Sequence, residues 1–214
     1  MQPIFITGIG TGVGKTLVSA IVAEALQADY WKPVQAGFSE GTDSEWVRSM
    51  IGDNLVVHPE VYKLKLPASP HIAAREEGIK IDLQKICDQQ PATSRQLVIE
   101  GAGGLLVPLN ENEFVIDLIK QLNAKVILVS RNYLGSINHS LLTAQVCKVN
   151  NIKVPGWIFN DNYLNYEKEI SEWTGFPVIG RISFSENIDK EFIRQQAFLI
   201  QGPLRETLLE QRLL

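Results

Sequence analysis

Lys15, Thr16, Lys32, Asp43 and Glu100 stand out for what their side chains could do together. Two ammonium groups, a hydroxyl and two carboxylates are what a polyphosphate and a divalent cation need: positive charge for the phosphate oxygens, and hard oxygen ligands for the metal. None of these groups is a strong nucleophile with a base beside it. The set therefore points to charge neutralisation and positioning rather than to covalent catalysis.

Lys15 and Thr16 end the string TGIGTGVGKT at residues 7–16, which follows the apolar run Ile4-Phe5-Ile6 and leads into LVSAIVAEAL. The pattern is strand, glycine-rich loop, helix. Such a loop turns backbone N–H groups inward and aims a helix N-terminus at an anion. Lys15 then reaches the β- and γ-phosphates and the Thr16 hydroxyl ligates magnesium. The usual pattern has glycine five residues before Gly14, where this chain has Ile9; the glycine is Gly8, one residue earlier.

The other three residues each follow an apolar run. Lys32, in WKPVQAG, ends a strand and can project beside Lys15; this string alone also suits a surface lysine. Asp43, in GTDSEW, reads as a metal ligand facing Thr16 or as an N-cap or first-turn aspartate of a helix. Glu100, in VIEGAGG, ends a buried strand, where a carboxylate is costly unless paired or on a metal; the glycines behind it let backbone approach a ligand. Leu134-Gly135-Ser136-Ile137-Asn138-His139 opens a helix and offers either a second anion site or an ordinary capped start. Asn160-Asp161 ends another strand and suits an adenine edge or a plain turn. His71 and His139 are candidate general bases that equally suit helix-start or packing roles.

The elements that position these residues follow from alternating patterns. Strands are expected at Ile4–Thr7, Tyr30–Val34, Gln96–Ile99, Lys125–Ser130, Val154–Asn160 and Val178–Ile182. Helices are expected at Thr16–Gln27 and near 44–51, 71–77, 82–90, 114–123, 137–150, 165–174 and 189–200. This order predicts an α/β fold with a mostly parallel sheet and helices on both faces, of P-loop nucleotide-hydrolase type, as a single domain over 1–214. Ligands of such sheets gather beyond the strands' carboxyl ends, so every loop named above should meet on one edge. The stretch 52–70 is the least regular and has room for a small insertion.

Composition sets outer bounds. The chain has 214 residues, 45% of them hydrophobic and 21% charged, which fits one well-filled core. A net charge of −4 argues against a nucleic-acid binder. No apolar run approaches the ~20 residues of a membrane span, and no signal-type segment precedes the phosphate loop. Cys87 and Cys147 have no metal-type spacing, and a reducing cytoplasm is the expected compartment.

Taken together, TGIGTGVGKT, WKPVQAG, SPHIAA, VIEGAGG, LGSINHSLLTAQV and GWIFND resemble the dethiobiotin synthetase family in order and spacing, from residue 4 to about 161. The last fifty or so residues match it weakly. The resemblance implies an ATP- and magnesium-dependent cyclo-ligase that joins carbon dioxide to 7,8-diaminopelargonate through a carbamate and a carbamic-phosphoric anhydride. It implies catalytic roles for Lys15, Lys32 and Thr11. ATP would be held by Gly12, Val13, Gly14, Lys15, Thr16, Leu17, Asp43, Glu100, Gly101, Ala102 and Gly103, with Asn160, Asp161, Ser183, Phe184 and Ser185 around the purine and ribose. The metal falls to Thr16, Asp43 and Glu100. The diamine falls to Lys32 and Ala36, with Gly135, Ser136, Ile137 and Asn138 of a second subunit, so a homodimer is expected. The chain departs from the family at Gly12, where some members have glutamate, at Ala36, where a hydroxyl is common, and at Ser183-Phe184, where proline precedes an aromatic. The competing classes are a partition- or septum-type switch ATPase and a cobyrinic-acid-type amidoligase. The first carries a second loop lysine where this chain has Gly10; the second usually adds a domain with a nucleophilic cysteine.

Overall fold

A computed structural model describes residues 1–160 and 164–210. Seven strands form one parallel sheet, and their chain numbering follows. β1 is Ile4–Gly8, β2 Asp29–Trp31, β4 Val57–His58, β6 Leu97–Glu100, β7 Lys125–Arg131, β8 Gly156–Asn160 and β9 Val178–Ile182, in the spatial order β4-β2-β6-β1-β7-β8-β9. β3 (Val34–Ala36) and β5 (Tyr62–Leu64) pair as a separate parallel ribbon. The helices are α1 (Lys15–Leu26), α2 (Asp43–Met50), α3 (Pro70–Glu76), α4 (Leu83–Asp88), α5 (Val115–Gln121), α6 (Ser136–Val149), α7 (Glu167–Thr174) and α8 (Lys190–Glu210).

Strand alternation divides the core in two. Ile4, Ile6, Ile127 and Val129 face a cluster with Val18, Ile21 and Val22 of α1, Val47 of α2 and Ile193 of α8. Phe5, Val126 and Leu128 face the opposite cluster, with Ala73 of α3, Ile86 of α4, Leu118 of α5, Ala144 of α6 and Ile170 of α7. Both faces are covered, so the central strands are predominantly apolar, as is usual in parallel sheets. The α/β architecture expected from the sequence is the one observed.

Three expectations need correction. The strand expected at Tyr30–Val34 is two strands in two sheets. Pro33 has no N–H to give a ladder, and its carbonyl accepts instead from the N–H groups of Val61 and Tyr62, at 2.9 and 3.0 Å. The chain therefore bends right after Lys32. The irregular stretch 52–70 holds β4, paired with β2, and β5, paired with β3. Strands of two and three residues are too short for alternation to reveal. The helix expected over 189–200 runs on to Glu210, through Pro203, because Leu204 beyond the proline is fully buried.

Candidate active site

The phosphate loop leaves β1 at Gly8 and enters α1 at Lys15. Gly12 and Gly14 take φ of 73° and 89°, a region that side chains rarely adopt. Gly8 is required for a different reason: a Cβ there would stand 2.5 Å from Cγ2 of Val13. Lys15 is buried and its Nζ donates to the Gly10 carbonyl at 2.9 Å. Burial lowers the Lys15 pKa; Glu100 pulls it up, and nearby Lys32 adds to the lowering.

Lys32 emerges at the end of β2, Glu100 at the end of the adjacent β6, and Asp43 at the first turn of α2. They meet at one point. The Lys32 ammonium donates to Glu100 Oε1 at 2.9 Å and to Asp43 Oδ2. The Thr16 hydroxyl donates to the same Glu100 oxygen at 2.9 Å. Burial works against the charge on Lys32, but Glu100 and Asp43 outweigh it and hold the pKa above the ordinary lysine value. Asp43 is not the helix cap: Thr42 is, in a capping box with Glu45, which leaves the Asp43 carboxylate free for Lys32. Gln35 steadies this arrangement, its Oε1 accepting from the Asp43 N–H at 3.3 Å and its amide donating to the Gly37 carbonyl at 2.7 Å. The sequence reading missed Gln35, although it lies inside WKPVQAG.

These groups line a crevice of about 740 Å³ with Thr11, Gly12, Gly14, Ala36, Ala102, Gly103 and Ser69 among its walls. That is ample for a small ligand. Val13 is buried under the loop, Leu17 packs toward the α1 core, and Gly101 sits against the Phe5 ring, so these three serve through backbone or packing.

Whether the donors suit magnesium can be tested on their chemistry. Among the described residues no three His, Cys, Asp or Glu side chains cluster as an all-protein metal cage. Two carboxylates that converge on a cationic ammonium, one of them also accepting from a hydroxyl, match beside a phosphate loop the partial oxygen shell that magnesium takes when substrate phosphates complete it. The residues fit.

The remaining candidates lie elsewhere on the same edge. Asn160, at the end of β8, donates to the Val13 carbonyl at 3.1 Å and so props the phosphate loop. Asp161 lies outside the described residues. Ser183, Phe184 and Ser185 follow β9; Phe184 is exposed, and Ser185 caps its own turn through the Asn187 carbonyl. Gly135, Ser136, Ile137 and Asn138 start α6 away from Lys32. Ser136 is buried and accepts from the Tyr133 N–H, while Asn138 borders a surface groove beside Trp173. His71 pairs with Ser69 and His139 with Tyr133, at 3.0 and 2.7 Å between Nδ1 and hydroxyl, and neither ring has a carboxylate among these hydrogen-bond partners.

The AAA domain family matches residues 2–191 of this chain. ATP-dependent dethiobiotin synthetase BioD from Cytophaga hutchinsonii is 53% identical over 201 residues, covering 92% of this chain and 96% of that protein. The protein of the same name from Christiangramia forsetii is 48% identical over 195 residues, covering 90% and 93%. Among solved structures, the MinD cell division protein of Aquifex aeolicus superposes with a TM-score of 0.59 at 15% identity, covering 97% of each chain. A ParA family ATPase from Chlorobium tepidum gives 0.54 at 14%, covering 95% of this chain and 91% of that one. At such identities the likeness concerns the fold alone.

Proposed function

The chain belongs to the ATP-dependent dethiobiotin synthetase family, and from that premise we infer that its Lys15–Lys32 crevice closes the ureido ring of dethiobiotin on 7,8-diaminopelargonate. The activity is an ATP-dependent ligation in biotin formation. One amine adds to carbon dioxide and loses a proton, giving a carbamate. A carbamate oxygen attacks the γ-phosphorus of ATP, and ADP leaves. The second amine attacks the carbamoyl carbon, and phosphate leaves as the ring closes.

The observation that carries this reading is the meeting of Lys32, Asp43, Glu100 and Thr16 at the mouth of the phosphate loop. Carbamate and triphosphate are both anionic, and their approach requires positive charge placed before reaction. Lys15 and the loop amides from Gly12 to Thr16, with Thr11, hold the phosphates. Lys32 holds the carbamate and the transferring phosphoryl group. Magnesium, held by Thr16, Asp43 and Glu100, would offset the charge on the phosphate oxygens. The substrate amines are themselves the nucleophiles, so the protein needs none.

The diamine's carboxylate is assigned to the α6 start, Gly135 to Asn138, of a second copy, which makes the enzyme a homodimer with shared sites. Exposed Leu142 and Leu106 support this assignment: they line one apolar cavity beside α6, of the kind of surface that associates. The cytoplasm is the proposed compartment; among the described residues no helix is long and apolar enough to cross a membrane. The test is phosphate release from ATP and magnesium. It should require both diamine and bicarbonate. Release without the diamine would favour a switch-type ATPase.

A further inference from the structure

Tyr30 is wholly buried on β2 and takes no part in lining the crevice, yet its hydroxyl donates to Glu100 Oε2 at 2.8 Å. The other Glu100 oxygen, Oε1, receives Thr16 and Lys32, both at 2.9 Å. The two carboxylate oxygens are thus divided, one held from the protein interior and one turned to the crevice. The geometry follows from the register. Tyr30 pairs with Val98, two residues before Glu100 on the neighbouring parallel strand. Residues two apart share a face and are about 6.6 Å apart along a strand. A phenol ring laid along the sheet spans that distance and delivers its oxygen to the carboxylate. Tyr30 belongs to the buried apolar cluster that holds Val98, Ile4, Ile6 and α1 side chains, a setting that would suit phenylalanine as well. The hydroxyl alone needs explaining.

We propose that Tyr30 is a positioning residue for the cation site: its hydroxyl occupies Oε2 of Glu100, fixes the carboxylate's rotation, and leaves Oε1 as the single oxygen offered to the metal. Thr16 and Lys32 have other partners to serve in the crevice, namely metal, phosphate and carbamate. Among the described residues, the Tyr30 bond is the side-chain hydrogen bond to the Glu100 carboxylate that does not depend on them. The proposal rests on Glu100 being a metal ligand.

The experiment compares Tyr30→Phe and Glu100→Gln with the parent protein. Manganese binding in the presence of ADP is read by electron paramagnetic resonance, alongside the magnesium dependence of turnover and metal-free nucleotide affinity. Outer-sphere partners of metal ligands typically govern about 10-fold or more of metal affinity. Tyr30→Phe should weaken manganese binding about 10-fold, raise the magnesium needed for half-maximal rate to match, and restore most of kcat at saturating metal. Metal-free nucleotide affinity should stay within about twofold. If Glu100→Gln weakens manganese binding and Tyr30→Phe does not, the positioning role is wrong and the metal assignment stands. If neither variant alters it, the metal assignment itself fails. If Tyr30→Phe loses the native fold, the hydroxyl is structural and the proposal is overturned.

Discussion

The Lys32 ammonium sits 2.9 Å from Glu100 Oε1, and this contact joins the ends of β2 and β6 inside the crevice. Both side chains are nearly excluded from solvent, at 8% and 1% exposure. Removing one member of a buried ion pair strands the other, at a cost of about 3–5 kcal/mol. Asp43 and Thr16 share the load, so the pair serves as the hub of a four-residue cluster. The ammonium is held among the same oxygens that are assigned to magnesium. Metal and lysine are therefore expected to compete for Asp43 and Glu100, and in Lys32→Met magnesium should raise the thermal midpoint more than it does in the parent.

The shifted glycine of the phosphate loop gives a sharp contrast. Gly8→Ala puts a methyl 2.5 Å from Val13, whereas Gly10→Ala meets nothing within 4 Å. Overpacking of this kind costs about 1–3 kcal/mol. Gly8→Ala should lower ATP affinity at least about 5-fold by calorimetry, and Gly10→Ala should leave it nearly unchanged. Equal effects would show that the Gly8–Val13 packing does not shape the loop.

At the opposite end of β2, Asp29 is buried and accepts from the Thr93 hydroxyl at 2.5 Å, the Val56 N–H at 3.0 Å and Arg95 at 3.3 Å. Burial alone would raise its pKa, but these donors outweigh it and hold the carboxyl below the usual aspartate range. The ionised form is thus favoured by folding. Its contribution is present above the unfolded value, about 3.9, and is lost as pH falls through the lower folded value. Asp29→Asn should cost about 1–3 kcal/mol near neutrality, shrinking below pH 4 in urea titrations. A penalty constant with pH would contradict the assignment.

Leu142 is 57% exposed on α6 and lies beside Leu106, His139 and Val146 around an apolar cavity of about 330 Å³. In the proposed dimer this face is covered. Leu142→Arg should give a monomer by light scattering and weaken diamine binding, with ATP binding kept. A variant that stays dimeric would place the interface elsewhere.

The phosphate loop was legible in the sequence because its signals are local: glycines, lysine and hydroxyl all fall within ten residues that follow an apolar run. Lys32, Asp43 and Glu100 were legible as candidates because each ends a strand or starts a helix, and the parallel sheet brings such positions to one edge. Tyr30 was hidden. In sequence it is one more apolar strand residue, and its partner lies 70 residues away. Gln35 was hidden in the same way, since its work is done on the backbone of Asp43. β4 and β5 are too short for periodicity, and their place is set by pairing with β2 and β3. Asn160 suited a base-reading role in the sequence, and only the tertiary approach of β8 to the loop reveals its bond to Val13.

Lys32 is proposed to act on the carbamate and the transferring phosphoryl group rather than on ATP binding. Lys32→Met, with the fold checked, measures it directly: dethiobiotin formation and ATP affinity are determined side by side at saturating magnesium. Loss of one preplaced charge in such a site costs about 100-fold or more in turnover. Turnover should fall by at least that much, with ATP affinity changed less than about threefold. Small and equal losses in both would contradict the account.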